Sequence, residues 1–188
     1  GVFMSEVTVQ IIKDFQGESP GQRALFQVLA DLNSSAVTYA HPAIFTVEEG
    51  LAIDLPSRIP GQHGKSLLLC AEPDSSLWLV VAREDMRVDL KVLARQVGVK
   101  RFSFAKPEVM LEVLGVTPGS ATPFALMHDR ARQLRVIIDD RFLNGKDAVF
   151  HPLDNRYSTV IGVQDLLGFI RHVHQEPMIL TLENRHVA

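Results

Sequence analysis

The chain has 188 residues, of which 46% are hydrophobic and 22% charged, with a formal net charge of −3. That is the composition of an ordinary globular domain, large enough to bury about 70% of its unfolded surface without a disulfide or a metal, and its slight acidity argues against wholesale wrapping of nucleic acid. The single cysteine, Cys70, has no partner to bridge, and neither a run of 18 apolar residues nor a basic-then-apolar leader occurs, so the sequence predicts a cytoplasmic protein with no membrane partner.

Leu25, Val28, Leu29 and Leu32 form an apolar stripe at helical spacing, predicting a helix over 21–32. Ala36 to Ala40 reads as a strand. Thr46 followed by Glu49 is a capping box for a short helix reaching about Ile53, and a Pro- and Gly-rich loop is expected from Pro56 to Gly64. Ser66 to Ala71 and Leu77 to Arg83 read as a hairpin turning through Glu72-Pro73-Asp74-Ser75-Ser76. Asp89 caps a helix that Gly98 ends, and Pro107 and Gly115 bracket the next one. The unbroken Val136, Ile137 and Ile138 mark a strand within 134–139; further strands fall near 148–150 and 157–161, and an amphipathic helix spans 163–174. Hairpins mixed with helices, without strict βαβ alternation, predict an α+β fold with a mixed, largely antiparallel sheet.

The stretch IPGQHGKSLLLC resembles the end of a phosphate-binding loop, but the register fails. Five residues before Gly64 stands Ile59 instead of glycine, and an apolar strand follows where a helix is required. Spacing also argues against a metal: His172 and His174 are about 200° apart on a helix, and His128 and His186 lack an evident companion. Cys70 in an apolar strand is a poor nucleophile, and no G-x-S-x-G elbow exists. Three polar segments bounded by glycine or proline remain: Gly61 to Ser66, Gly119 to Phe124, and His151 to Asn155. Together they would line one cleft with an ammonium, backbone amides and an imidazole, which suits an anionic or ester-bearing ligand. From Arg83 to Lys106 seven basic residues face three acidic ones, a surplus of four; Lys91 and Arg95 share a helix face, equally consistent with a solvated face and with phosphate contacts.

HPAIFTVEEG, PGQHGKSLLL, VDLKVLARQVG, FSFAKPEVMLEVLGVTPGSATPF and VFHPLDNRYSTV, in this order, resemble the YbaK/ProX-type aminoacyl-tRNA deacylases, above all the freestanding alanyl-tRNA(Pro) deacylases related to the editing insertion of bacterial prolyl-tRNA synthetase. The resemblance runs from Gln22 to His174. It implies a barrel-like sheet flanked by helices, a deacylase domain over 21–176 between an extension (1–20) and a tail (177–188), and no cofactor. The implied reaction is hydrolysis of a mischarged tRNA(Pro) ester, alanyl first, cysteinyl or seryl as alternatives; a non-catalytic tRNA- or synthetase-binding module is the competing class. By position, Lys65 and His151 take the catalytic places. Ser66, Phe45 and the loop Gly119, Ser120, Ala121, Thr122 and Pro123 take the substrate places; Lys91, Arg95, Lys100 and Arg101 are assigned to tRNA. The expected partners are the tRNA(Pro) acceptor end and prolyl-tRNA synthetase, with the chain a monomer or a homodimer. Two positions depart from the family pattern: Ser66 stands where asparagine is usual, offering fewer donors, and Gly64 where threonine is common.

Overall fold

In the computed structural model, which describes residues 7–186, strand β1 (Gln10–Ile12) precedes helix α1 (Pro20–Asp31). Ser19 starts that helix by accepting the amide of Gln22, with proline at the first helical position where no amide is needed. Strand β2 (Ala36–Ala40) leads to α2 (Val47–Ala52), where Thr46 and Glu49 form the reciprocal capping box read from the sequence. Then come α3 (Leu55–Arg58), β3 (Gln62–Glu72), β4 (Leu77–Arg83), α4 (Leu90–Val97), β5 (Arg101–Phe104) and α5 (Pro107–Leu114). After short 3-10 turns, β6 (Arg135–Asp139), β7 (Asp147–Phe150), β8 (Tyr157–Gly162), α6 (Val163–Val173) and β9 (Met178–Leu180) complete the order.

Nine strands form one mixed sheet in the order β1-β2-β8-β7-β3-β4-β6-β9, with β5 also pairing to β3. The β3–β7, β4–β6 and β6–β9 pairs are parallel and the others antiparallel. The long strand β3 joins the two halves: Gln62 and His63 pair with β7, whereas Gly64 to Cys70 pair with β4.

Both faces of the β3–β4–β6 half are buried, which explains its uninterrupted apolar runs. Leu68, Leu79, Val81, Val136 and Ile138 point into the larger core with α1, α5 and α6. Their neighbours Leu69, Trp78, Val80 and Ile137 point the other way, beneath Leu93 and Ala94 of α4. Each fully enclosed leucine contributes roughly 1.5–3 kcal/mol.

The structure corrects several sequence expectations. Pro56 lies within α3 instead of a loop, and β3 begins at Gln62, so Lys65 sits inside a strand opposite Ala82, not at its mouth. The cause is tertiary: a polar Gly-containing segment becomes a strand because β7 supplies its hydrogen-bond partners. Strands β1, β5 and β9 are additional to the predicted elements, and Cys70 is half-buried, not enclosed.

Candidate active site

Lys65 and Ser66 are consecutive on β3 and therefore point to opposite faces of the strand. Both nevertheless border one small cleft, closed by Phe45 and Thr46 before α2, by Glu84 after β4, by Pro118, Gly119 and Ala121 from the loop after α5, and by His151 after β7. The cleft has a volume of about 110 Å³. All three polar segments picked out in the sequence thus contribute to it. Ser120, Thr122 and Pro123 do not border it. The loop is wound into two 3-10 turns that alternate its side chains, leaving Ser120 and Thr122 buried and committing the Thr122 hydroxyl to the amide of Phe124. A wider hollow beside Asp14, Phe15 and Arg23 contains none of the site groups.

The polar groups around the cleft are desolvated. Burial pushes the Lys65 ammonium below the usual lysine value against the pull of Glu84, and its Nζ donates to the Met86 carbonyl. Partial burial, reinforced by the charge of Asp85 and opposed by Lys65, pushes the Glu84 carboxyl up to about 7. His151 is lowered chiefly by burial. Its Nδ1 lies 2.7 Å from the Tyr157 carbonyl, so Nδ1 carries the proton and Nε2 is left as an acceptor. His41 and His63, also lowered chiefly by burial, stand behind it; His41 Nε2 is 2.8 Å from Ser158 Oγ and His63 Nε2 is 2.8 Å from the Ile59 carbonyl. The Ser66 hydroxyl is enclosed without a hydrogen-bond partner, and the residue borders the cleft.

Two residues escaped the sequence reading. Glu84 follows an apolar strand and looks like any surface carboxylate until β3 and β4 pair. His63 was masked by the resemblance of its loop to a phosphate loop. Among the described residues no group of three or more His, Cys, Asp or Glu side chains is arranged to hold a metal.

The residues assigned to tRNA gather elsewhere. Lys91, Arg95, Lys100 and Arg101 border a single groove of about 500 Å³ between α4 and β5. Arg101 is already paired with Glu72 at 2.7 Å. No described helix is long and apolar enough to cross a membrane.

The profile of the aminoacyl-tRNA editing domain matches residues 41–169. A Bos taurus protein named prolyl-tRNA synthetase associated domain-containing protein 1 is 34% identical over 164 residues, covering 85% of this chain and 94% of the relative. The prolyl-tRNA editing protein ProX of Acetoanaerobium sticklandii is 29% identical over 147 residues, covering 77% and 88%. A crystal structure described as a candidate trans-editing enzyme for prolyl tRNA synthetase superposes with a TM-score of 0.65 at 19% identity, covering 90% of this chain and all of the other.

Proposed function

The chain belongs to the aminoacyl-tRNA editing domain family, and from that premise we propose that it is a trans-editing hydrolase that deacylates mischarged tRNA(Pro), alanyl-tRNA(Pro) first. The observation that carries the reading is the convergence of Lys65, Ser66, Glu84, Gly119, Ala121 and His151 on one cleft only about 110 Å³ in volume. The names of the relatives support tRNA(Pro) and prolyl-tRNA synthetase as the proposed partners, and the proposed site of action is the cytoplasm.

Hydrolysis of an aminoacyl ester needs no covalent intermediate, because the ester is activated and a held water can attack it in line. The water oxygen bonds to the carbonyl carbon and gives its proton to the Glu84 carboxylate, whose raised pKa suits a base working near neutrality. His151 Nε2, an acceptor, fixes that water's orientation. Lys65, released from the Met86 carbonyl, and the unpartnered Ser66 hydroxyl stabilise the charge on the carbonyl oxygen. The ester C–O bond then breaks, and the electron pair leaves with the terminal ribose oxygen. That oxygen takes up the proton held by Glu84, freeing the amino acid.

The test is a deacylation panel of alanyl-, cysteinyl-, seryl- and prolyl-tRNA(Pro), run with wild type and Lys65→Ala. Alanyl-tRNA(Pro) should be cleaved fastest, and Lys65→Ala should lower its rate by at least about 100-fold at an unchanged melting temperature. Binding of tRNA without cleavage of any of the four esters would replace the hydrolase with a binding module.

A further inference from the structure

A second groove lies beside the cleft. It has a volume of about 550 Å³, shares Lys65 with the cleft, and is bordered by Leu67, Arg87, Lys91, Phe104 and Arg185. Its far end shares Leu90 and Lys91 with the groove between α4 and β5. The three hollows therefore adjoin in series, sharing a bordering residue at each step.

The second groove is cationic by construction. A bridge between Val88 and Asn184 and a 2.7 Å hydrogen bond from the Arg185 amide to the Arg87 carbonyl pin the two arginines side by side. Neither they nor Lys91 has a carboxylate within ion-pair distance among the described residues. Four cations (Lys65, Arg87, Lys91, Arg185) face one carboxylate, Asp89, which is turned to cap α4 through the Lys91 and Val92 amides at 3.1 Å each. Burial chiefly pushes the Lys65 ammonium down; Glu84 opposes this, Arg87 adds to it, and Asp85 and Glu48 oppose it.

Beside these charges stands Phe104, 64% exposed. It alternates with Phe102 on the same face of β5, but Phe102 is covered by α4 and Trp78, whereas Phe104 lies beyond that cover. An open aromatic face among unpaired cations is the arrangement that takes a stacked base and its flanking phosphates. Because the adjoining cleft is too small for a duplex, a strand end fits this arrangement.

Resting on the tRNA-editing reading, we propose that this groove holds the single-stranded 3′-terminal nucleotides of the RNA, one base stacked on Phe104 and the phosphates on Arg87, Lys91 and Arg185. The groove bordered by Arg95, Lys100 and Arg101 then takes the adjoining duplex.

The experiment is a fluorescence titration of the intact protein with a labelled four-nucleotide single-stranded RNA ending in CCA, against a blunt RNA duplex. Wild type should bind the single strand. Phe104→Ala should weaken it about tenfold, Phe104→Trp should retain it, and Arg185→Ala should flatten the slope of log affinity against log salt by about 0.7. Equal affinity of wild type and Phe104→Ala, or an Arg185→Ala slope equal to wild type, overturns the groove even if the deacylation panel succeeds. If the panel fails while single-strand binding still depends on Phe104, the groove stands and the hydrolase falls. Melting curves of each variant establish that a lost affinity is not a lost fold.

Discussion

Gly64 has no room for a side chain: a Cβ there would lie 2.2 Å from Phe150 Cε1 and 3.1 Å from Phe142 Cζ. The family position that commonly carries threonine is filled in this chain by a ring arriving from β7. The sequence showed the departure but not its cause, since Phe150 is 86 residues away. Gly64→Ala should cost about 1–3 kcal/mol in denaturant unfolding. Phe150→Leu should recover part of that loss in a double-mutant cycle, because the two side chains contend for one space. Gly119 is different. Its missing Cβ would meet Phe45 Cδ1 at 3.1 Å, and Phe45 is 65% exposed and free to turn, so a substitution there reshapes the cleft more than it unfolds the protein. Glu84 allows a prediction in pH. Its folded-state value near 7 lies above the ordinary 4.5, so the folded state holds its proton more tightly. The resulting stability is complete below pH 4.5 and is lost as pH rises through 7. Thermal melting of wild type should therefore decline across that window relative to Glu84→Gln. The alanyl-tRNA(Pro) rate, corrected for free hydroxide, should rise through the same window only in wild type. A Gln variant with the wild-type pH profile would remove Glu84 from the mechanism.

Elements were legible where one physical signal sufficed. The caps at Thr46, Asp89, Gly98 and Gly115 act within a few residues of themselves, and β4 and β6 are apolar on both faces, so these pieces could be read locally. The short edge strands could not. β9, Met178–Leu180, is largely exposed, and only its parallel partner β6 makes it a strand. Yet the segment after it is firmly anchored: Leu182 is fully buried, its carbonyl accepts from Arg141 Nη1 at 2.8 Å, and Arg141 in turn pairs with the buried Asp139 at 3.0 Å. This anchor holds the chain that carries Arg185 to Arg87. Leu182→Ala should cost roughly 2–5 kcal/mol, and in the folded variant the segment from 183 should become susceptible to limited proteolysis before the sheet does. Proteolysis at the same rate as wild type would mean that the hydrogen bonds of Glu183, Asn184 and Arg185 to Asp89 and Arg87 hold it without Leu182.

At the scale of the whole molecule, the sheet brings together groups that no local pattern relates. β3 delivers Lys65 and Ser66, the loop after α5 delivers Gly119 and Ala121, and β7 delivers His151, so the cleft exists only once β3 has paired with both β4 and β7. The sequence could name most of these residues because the motifs that carry them resemble those of the deacylases; it could not give the cleft's size, which depends on how closely Phe45 and Gly119 approach. In the proposed function, that size is the source of selectivity. A synthetase pocket shaped for proline cannot strongly exclude alanine, since the missing methylenes are worth only about 1–3 kcal/mol apiece, and a second sieve must accept what is smaller and refuse what is correct. On the proposed reading, a cleft of about 110 Å³ walled by Phe45 and Gly119 is matched to a small side chain such as that of alanine. Wild type should therefore leave prolyl-tRNA(Pro) intact while cleaving alanyl-tRNA(Pro). Gly119→Ala should depress alanyl cleavage about tenfold or more while shifting the melting temperature by only a few degrees, because its methyl would displace the exposed Phe45 ring that borders the cleft. Cleavage of prolyl-tRNA(Pro) at the alanyl rate by the unmutated protein would mean that the wall formed by Phe45 and Gly119 yields to the larger ring, and size exclusion could then no longer be the source of fidelity.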